Sequence, residues 1–165
     1  GDRNVLHMHE GRQIHRSSHA LVEDLSDLHT DSNSAHDLYE AALSVAPDLI
    51  VMVLTATAQQ KAVQSLGCKW AGEIFADRAY NDDATLVDRS KPGAVIHDAA
   101  LAGNRMVAMV KAGAILTEGG VSIPAAIDTI CLHGDTPEAV DIARAVKTAL
   151  QDAGITLKCF DGRSS

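Results

Sequence analysis

Six consecutive apolar residues, Leu49–Leu54 (LIVMVL), restrict this chain more than any other feature. A run of that length without polar alternation reads as a strand buried on both faces, and such strands belong to parallel sheets covered by helices. The flanks agree. Upstream, Ser34 with Asp37 reads as a capped helix start, Leu38, Ala41, Ala42 and Val45 as its apolar stripe, and Pro47 as its end. Downstream, Ala58, Ala62, Val63 and Leu66 form a second stripe stopped at Gly67, and Lys69–Ala76 (KWAGEIFA) reads as the next strand. Residues 77–95 are a long polar loop. Ala102, Met106, Met109 and Val110 define a third helix ending at Gly113, Gly119 and Gly120 break the chain, and Asp128–Leu132 is a strand. Thr136 as N-cap and Pro137 at the first helical position open the last helix. Its stripe is Ala139, Ile142, Ala143, Val146, Ala149 and Leu150; Gly154 stops it, and Ile155–Phe160 is a final strand. Strands alternating with helices predict βαβ units and an α/β fold on a parallel sheet.

Composition narrows this further. The 165 residues suit one domain. Aromatics are only 3%, so the core must be built from Ala, Val, Leu and Ile. A net charge of −8 argues against a broad nucleic-acid surface, which needs clustered Lys and Arg. No run approaches the roughly 20 apolar residues of a membrane span, and the first residues, GDRNVLHMHE, hold no signal-peptide core. Cys68, Cys131 and Cys159 are far apart with no CxxC, which predicts a reduced, cytoplasmic protein. Residues 1–33 differ from the rest: His7, His9, His15, His19 and His29 sit among Ser and Asp with poor periodicity. Their spacing fits no zinc template, so no metal site is expected, and the segment reads as atypical and poorly ordered. Residues 34–160 then form the domain, and 161–165 read as a frayed tail.

In parallel α/β folds, functional groups gather beyond the carboxyl ends of the strands. Two such ends are polar. At EIFADRAY (Glu73–Tyr80), alternation puts Glu73, Phe75 and Asp77 on one face, with Arg78 following in the loop. At His133-Gly134-Asp135, an imidazole and a carboxylate stand two residues apart, just before a helix start that favours anions. Each has a plain structural alternative: Asp135 as a helix-terminus acid, Asp77–Arg78 as a loop ion pair, His133 as a hydrogen-bonded structural histidine. Two such clusters on one rim favour chemistry. GxxxxGK[ST], GxGxxG and GxSxG are all missing from the sequence.

Taken in order, Glu73-Ile74-Phe75-Ala76-Asp77-Arg78, Tyr80, Leu86-Val87 with Arg89, Gly93-Ala94-Val95-Ile96, Met109-Val110, and Thr129 to Asp135 with Ala139 resemble the 5-oxoprolinase A-subunit family, also called LamB/YcsF. The resemblance covers about residues 36–160. The family's earlier motifs are not found, so the sequence reads as the C-terminal half of the family's pattern, with residues 1–33 unrelated to it. The resemblance implies a TIM-like barrel of the seven-stranded type, here incomplete. It implies ATP-dependent opening of 5-oxoproline to glutamate together with subunits B and C. It places Asp77, His133 and Asp135 as catalytic residues and Glu73, Arg78 and Arg89 as substrate-binding ones. An incomplete rim predicts weak or no turnover by this chain alone. Two rival readings remain: a metal-dependent deacetylase-like hydrolase, which needs His133, Asp135 and Asp77 to converge on one ion, and a non-catalytic α/β module associating with partner subunits or with copies of itself.

Overall fold

The computed structural model describes residues 32–160 and 162–164 and, as backbone, the strands at 5–10 and 20–22. In chain order the elements are β1 (Val5–Glu10), β2 (Ala20–Val22), α1 (Ser32–Val45), β3 (Ile50–Leu54), α2 (Ala58–Leu66), β4 (Lys69–Phe75), α3 (Ala99–Ala112), β5 (Ala114–Leu116), β6 (Ser122–Pro124), β7 (Thr129–Leu132), α4 (Ala139–Asp152) and β8 (Thr156–Leu157). Six strands form one sheet in the order β2-β3-β4-β7-β1-β8, with every neighbouring pair parallel. The expected α/β fold is therefore present. Among the described residues the strands form a row with β2 and β8 at its ends and do not close into a barrel. Two strands of this sheet arise within residues 1–33, read from sequence as atypical, and Ser32 and Asn33 open α1; the remainder of that stretch lies outside the described residues.

The register decides which side chains share a face. Val51 stands beside Trp70, and Ile74 beside Ile130. With alternation, Trp70 and Ile74 point the same way. That face meets the helices: α1 and α2 bring Ala35, Tyr39, Ala62 and Val63 against Val51, Val53 and Trp70. Helices α3 and α4 bring Met106, Met109, Val146 and Leu150 into one cluster with Ile74, Ile130 and Leu132. Burying each such aliphatic side chain contributes about 1.5–3 kcal/mol. The opposite face carries Glu73, Phe75, Thr129 and Cys131.

Gly72 is required by a close backbone approach. A Cβ there would lie 1.9 Å from the Ala126 carbonyl oxygen, where the segment leading into β7 crosses β4. The crossing is fixed on both sides: Gly72 N–H donates to Asp128 Oδ2 at 2.9 Å, and Asp128 N–H to the Gly72 carbonyl at 2.8 Å. Arg163, expected within a frayed tail, pairs with the backbone of Trp70, lies 5.8 Å over its ring and donates from Nε to Asp128 at 2.6 Å.

Several expected details shift. In α1 the buried side chains are Ala35 and Tyr39, while Leu38 and Val45 are exposed, because a large ring and a small residue one turn apart fit the sheet better than the expected stripe. Ser34 lies inside the first turn of α1. Helix α4 starts at Ala139, not after Thr136. The Thr136 carbonyl instead accepts from Ala139 N–H in a preceding turn, and Glu138 holds the cap position without a side-chain bond. The break at Gly119–Gly120 is the turn of a two-stranded antiparallel hairpin, β5–β6. The last strand, Thr156–Leu157, is shorter than expected.

Candidate functional site

Strand pairing continues past the ends of β4 and β7, with Ala76 N–H donating to the Cys131 carbonyl at 3.0 Å. Asp77 and His133 therefore leave the sheet side by side. His133 Nδ1 lies 2.9 and 3.1 Å from the two Asp77 carboxylate oxygens, and the His133 backbone N–H donates to Oδ2 at 3.1 Å. Both side chains are nearly enclosed, at 12% and 6% exposure. The imidazole stacks on Phe75, 5.4 Å between centroids at 21°. With Asp77 ionised, this geometry places a proton on Nδ1 and makes Nε2 the basic nitrogen.

The loop after Asp77 folds back to support it. The Asp77 carbonyl accepts from Ile96 N–H at 2.8 Å, Ala79 N–H donates to the Ala94 carbonyl at 2.9 Å, and the Arg78 backbone bridges Val95. Tyr80 is buried, and its hydroxyl accepts the Phe75 N–H at 2.8 Å. Burial drives the phenol well above its ordinary pKa; the Phe75 bond opposes this, and the Glu73 charge adds to it. Glu73, also buried, thus belongs to the floor beneath Phe75 and Tyr80. The turn of the β5–β6 hairpin docks on the loop tip. Thr117 Oγ1 donates to Asp82 at 2.5 Å, and Arg105 reaches both the Arg78 carbonyl and Glu118 at 3.3 Å.

Above the enclosed pair, two exposed contacts join this loop to the turn after β7. Arg89 Nη1 lies 3.2 Å from Asp135 Oδ2, and His97 Nδ1 lies 3.4 Å from Glu138 Oε2. The Asp135 carboxyl is held below the ordinary carboxylate range. Desolvation raises it, but a bond from its own backbone N–H, the Arg89 bond and the charges of Arg89 and His133 outweigh that.

Of the six residues singled out by sequence, Asp77 and His133 meet directly. Asp135 and Arg89 meet each other on the exposed loops, and Glu73 is buried on the face of β4 that carries Phe75. Arg78 is turned inward: it is 1% exposed and its Nη2 donates to the Val87 carbonyl at 2.9 Å, so it braces the loop. Asp135 faces Arg89 because β7 ends at Leu132, and strand alternation does not extend to residue 135. Asp77, His133 and Asp135 consequently do not converge as an ion-binding triad; among the described residues the one cluster with ligand spacing is half-buried His36 with exposed Asp37 and Glu40 on α1. Phe75, Tyr80 and Arg105 do not stand out in the sequence as site residues. In a chain so poor in aromatics, the crowding of Trp70, Phe75 and Tyr80 into one stretch was the available signal.

Comparison with known proteins bears on this rim. The LamB/YcsF family model matches residues 4–165, well beyond the 36–160 span carried by the motifs and into the first 33 residues. The chain is 53% identical over 152 residues to a 5-oxoprolinase A subunit of Ruegeria pomeroyi, covering 92% of this chain and 59% of that protein. It is 42% identical over 146 residues to one of Nitrobacter hamburgensis, covering 88% and 56%. The crystal structure of a lactam utilization protein from Thermus thermophilus superposes with a TM-score of 0.69 at 32% identity, over 79% of this chain and 51% of that one. The chain thus spans rather more than half the length of the curated relatives it matches. A parallel α/β sheet with Asp77 and His133 abreast at its carboxyl edge, matched by this family nearly from end to end, makes the chain a member of the LamB/YcsF family.

Proposed function

We propose that this chain carries the hydrolytic centre of an amidohydrolase of the 5-oxoprolinase A-subunit type, opening the lactam of 5-oxoproline to glutamate. The enclosed Asp77–His133 contact carries the reading. Opening an unstrained lactam requires activating water and protonating the leaving nitrogen. A histidine fixed by a carboxylate on Nδ1 does both through Nε2, as base and then as acid. Asp77 orients the ring and stabilises the imidazolium. Phe75 holds the ring plane. Arg89 offers a cation at the mouth for a substrate carboxylate.

Further parts of the reading rest on resemblance. ATP coupling, which would turn the lactam oxygen into a leaving group, is assigned to the assembly with subunits B and C in the cytoplasm; no step here is routed through it. Helices packed on the Trp70–Ile74 face agree with one wall of a TIM-like barrel. That no helix among the described residues is long and apolar enough to cross a membrane is compatible with this setting.

The test is turnover. At the matching positions of a full-length relative assayed with subunits B and C and ATP, His133→Ala and Asp77→Asn should each reduce glutamate formation by about 100-fold or more. Near-normal turnover in either variant would remove the dyad from the mechanism.

A further inference from the structure

Three arginines gather around the loop that follows Asp77, and their surroundings differ. Arg78 is buried and holds the Val87 carbonyl. Arg105 is 14% exposed at its side chain and is engaged by the Arg78 carbonyl and Glu118. Arg89 stands at the mouth, 37% exposed, and the acid it meets, Asp135, is 57% exposed. Removing either inner arginine from its partners would strand buried polar groups. Opening the outer pair only returns two half-exposed charges to water, and such pairs are worth about 0–1 kcal/mol. The outer pair is therefore exchangeable where the inner ones are not.

We infer that Arg89 is the receptor for the carboxylate of an incoming lactam acid and that Asp135 is its resident competitor, displaced when the ligand binds. This rests on the lactam-opening reading and deepens it: Asp135 is then a specificity device, not the hydrolytic base. The exchange replaces one carboxylate by another on the same guanidinium, so no proton moves and the charge at Arg89 stays balanced. A free ligand carboxylate can present both oxygens to the guanidinium fork. A lactam without the carboxylate cannot displace Asp135, so the mouth discriminates between lactam acids and neutral lactams.

Nuclear magnetic resonance titration of the full chain with 5-oxoproline, and separately with 2-pyrrolidinone, its counterpart lacking the carboxylate, tests this through the Arg89 and His133 resonances. Arg89→Gln should weaken 5-oxoproline by about tenfold or more, as expected for a lost charge-assisted bond, and leave 2-pyrrolidinone within about twofold. Asp135→Asn should tighten 5-oxoproline by up to about fivefold by removing the competitor. Equal weakening of both ligands in Arg89→Gln, no weakening of either, or no gain in Asp135→Asn would overturn the inference while leaving the lactam reading intact. If neither ligand perturbs His133 in the unsubstituted chain, the lactam reading falls and the inference with it.

Discussion

Asp77–His133 and Arg89–Asp135 are both contacts between an acid and a nitrogen base, they occupy the same rim, and a single residue, Gly134, separates His133 from Asp135. They differ in solvent. The first is almost enclosed, stacked on an aromatic ring and bonded to the backbone as well as the side chain. The second stands in water on loops. Enclosure makes the inner contact costly to break and fixes the imidazole; exposure makes the outer contact cheap and replaceable. One rim thus holds a rigid part suited to chemistry and a labile part suited to recognition.

The largest effect should come from breaking the inner contact. Asp77→Ala leaves the His133 backbone N–H and Nδ1 enclosed without their acceptor. It should destabilise the chain by about 1–3 kcal/mol for each of these two orphaned donors, read as a shift in urea midpoint. A loss below about 1 kcal/mol would mean that the pair is as wet as the outer one. Next comes the floor. Tyr80→Phe removes the acceptor of the Phe75 N–H beneath the stacked imidazole and should cost about 1–3 kcal/mol in the same measurement. The outer pair should matter least: Arg89→Gln should change stability by no more than about 1 kcal/mol, and less at high salt.

Acid titration probes the outer pair. Asp135 has a carboxyl pKa lower in the folded chain than in the unfolded one. Its contribution is therefore fully present above the unfolded value, about 3.9, and fades as pH falls through the lower folded value. Asp135→Asn should erase this small acid-side slope by lowering the neutral plateau by the same amount, with stability below the folded pKa unchanged. A loss of stability at neutral pH larger than the acid-side change would contradict the pairing with Arg89.

How far the sequence discloses this arrangement depends on the range of each interaction. LIVMVL and KWAGEIFA announce parallel strands because burial on both faces leaves no polar alternation. The α2 boundary is legible because Gly67 takes a left-handed conformation, φ 67°, that local chemistry favours. The helix faces are less so: α1 turns Tyr39 inward and Leu38 outward, which depends on the shape of the sheet below. The β5–β6 hairpin escapes notice because three-residue strands carry almost no periodicity. Within the site, Asp77 and His133 stand out by position at strand ends, but their contact spans 56 residues of sequence and follows only from β4 and β7 being neighbours. Arg78 is placed by contacts of the same kind. Its charge beside Asp77 suggests substrate binding, whereas the returning loop takes it for the Val87 carbonyl.

The most direct measurement is the tautomer of His133, read from the ring nitrogen shifts of the neutral imidazole in the folded chain. The structure predicts a proton on Nδ1 and an unprotonated Nε2, with that preference lost in Asp77→Asn. A proton on Nε2 in the unsubstituted chain, or the same tautomer after Asp77→Asn, would contradict the orientation on which the proposed chemistry depends.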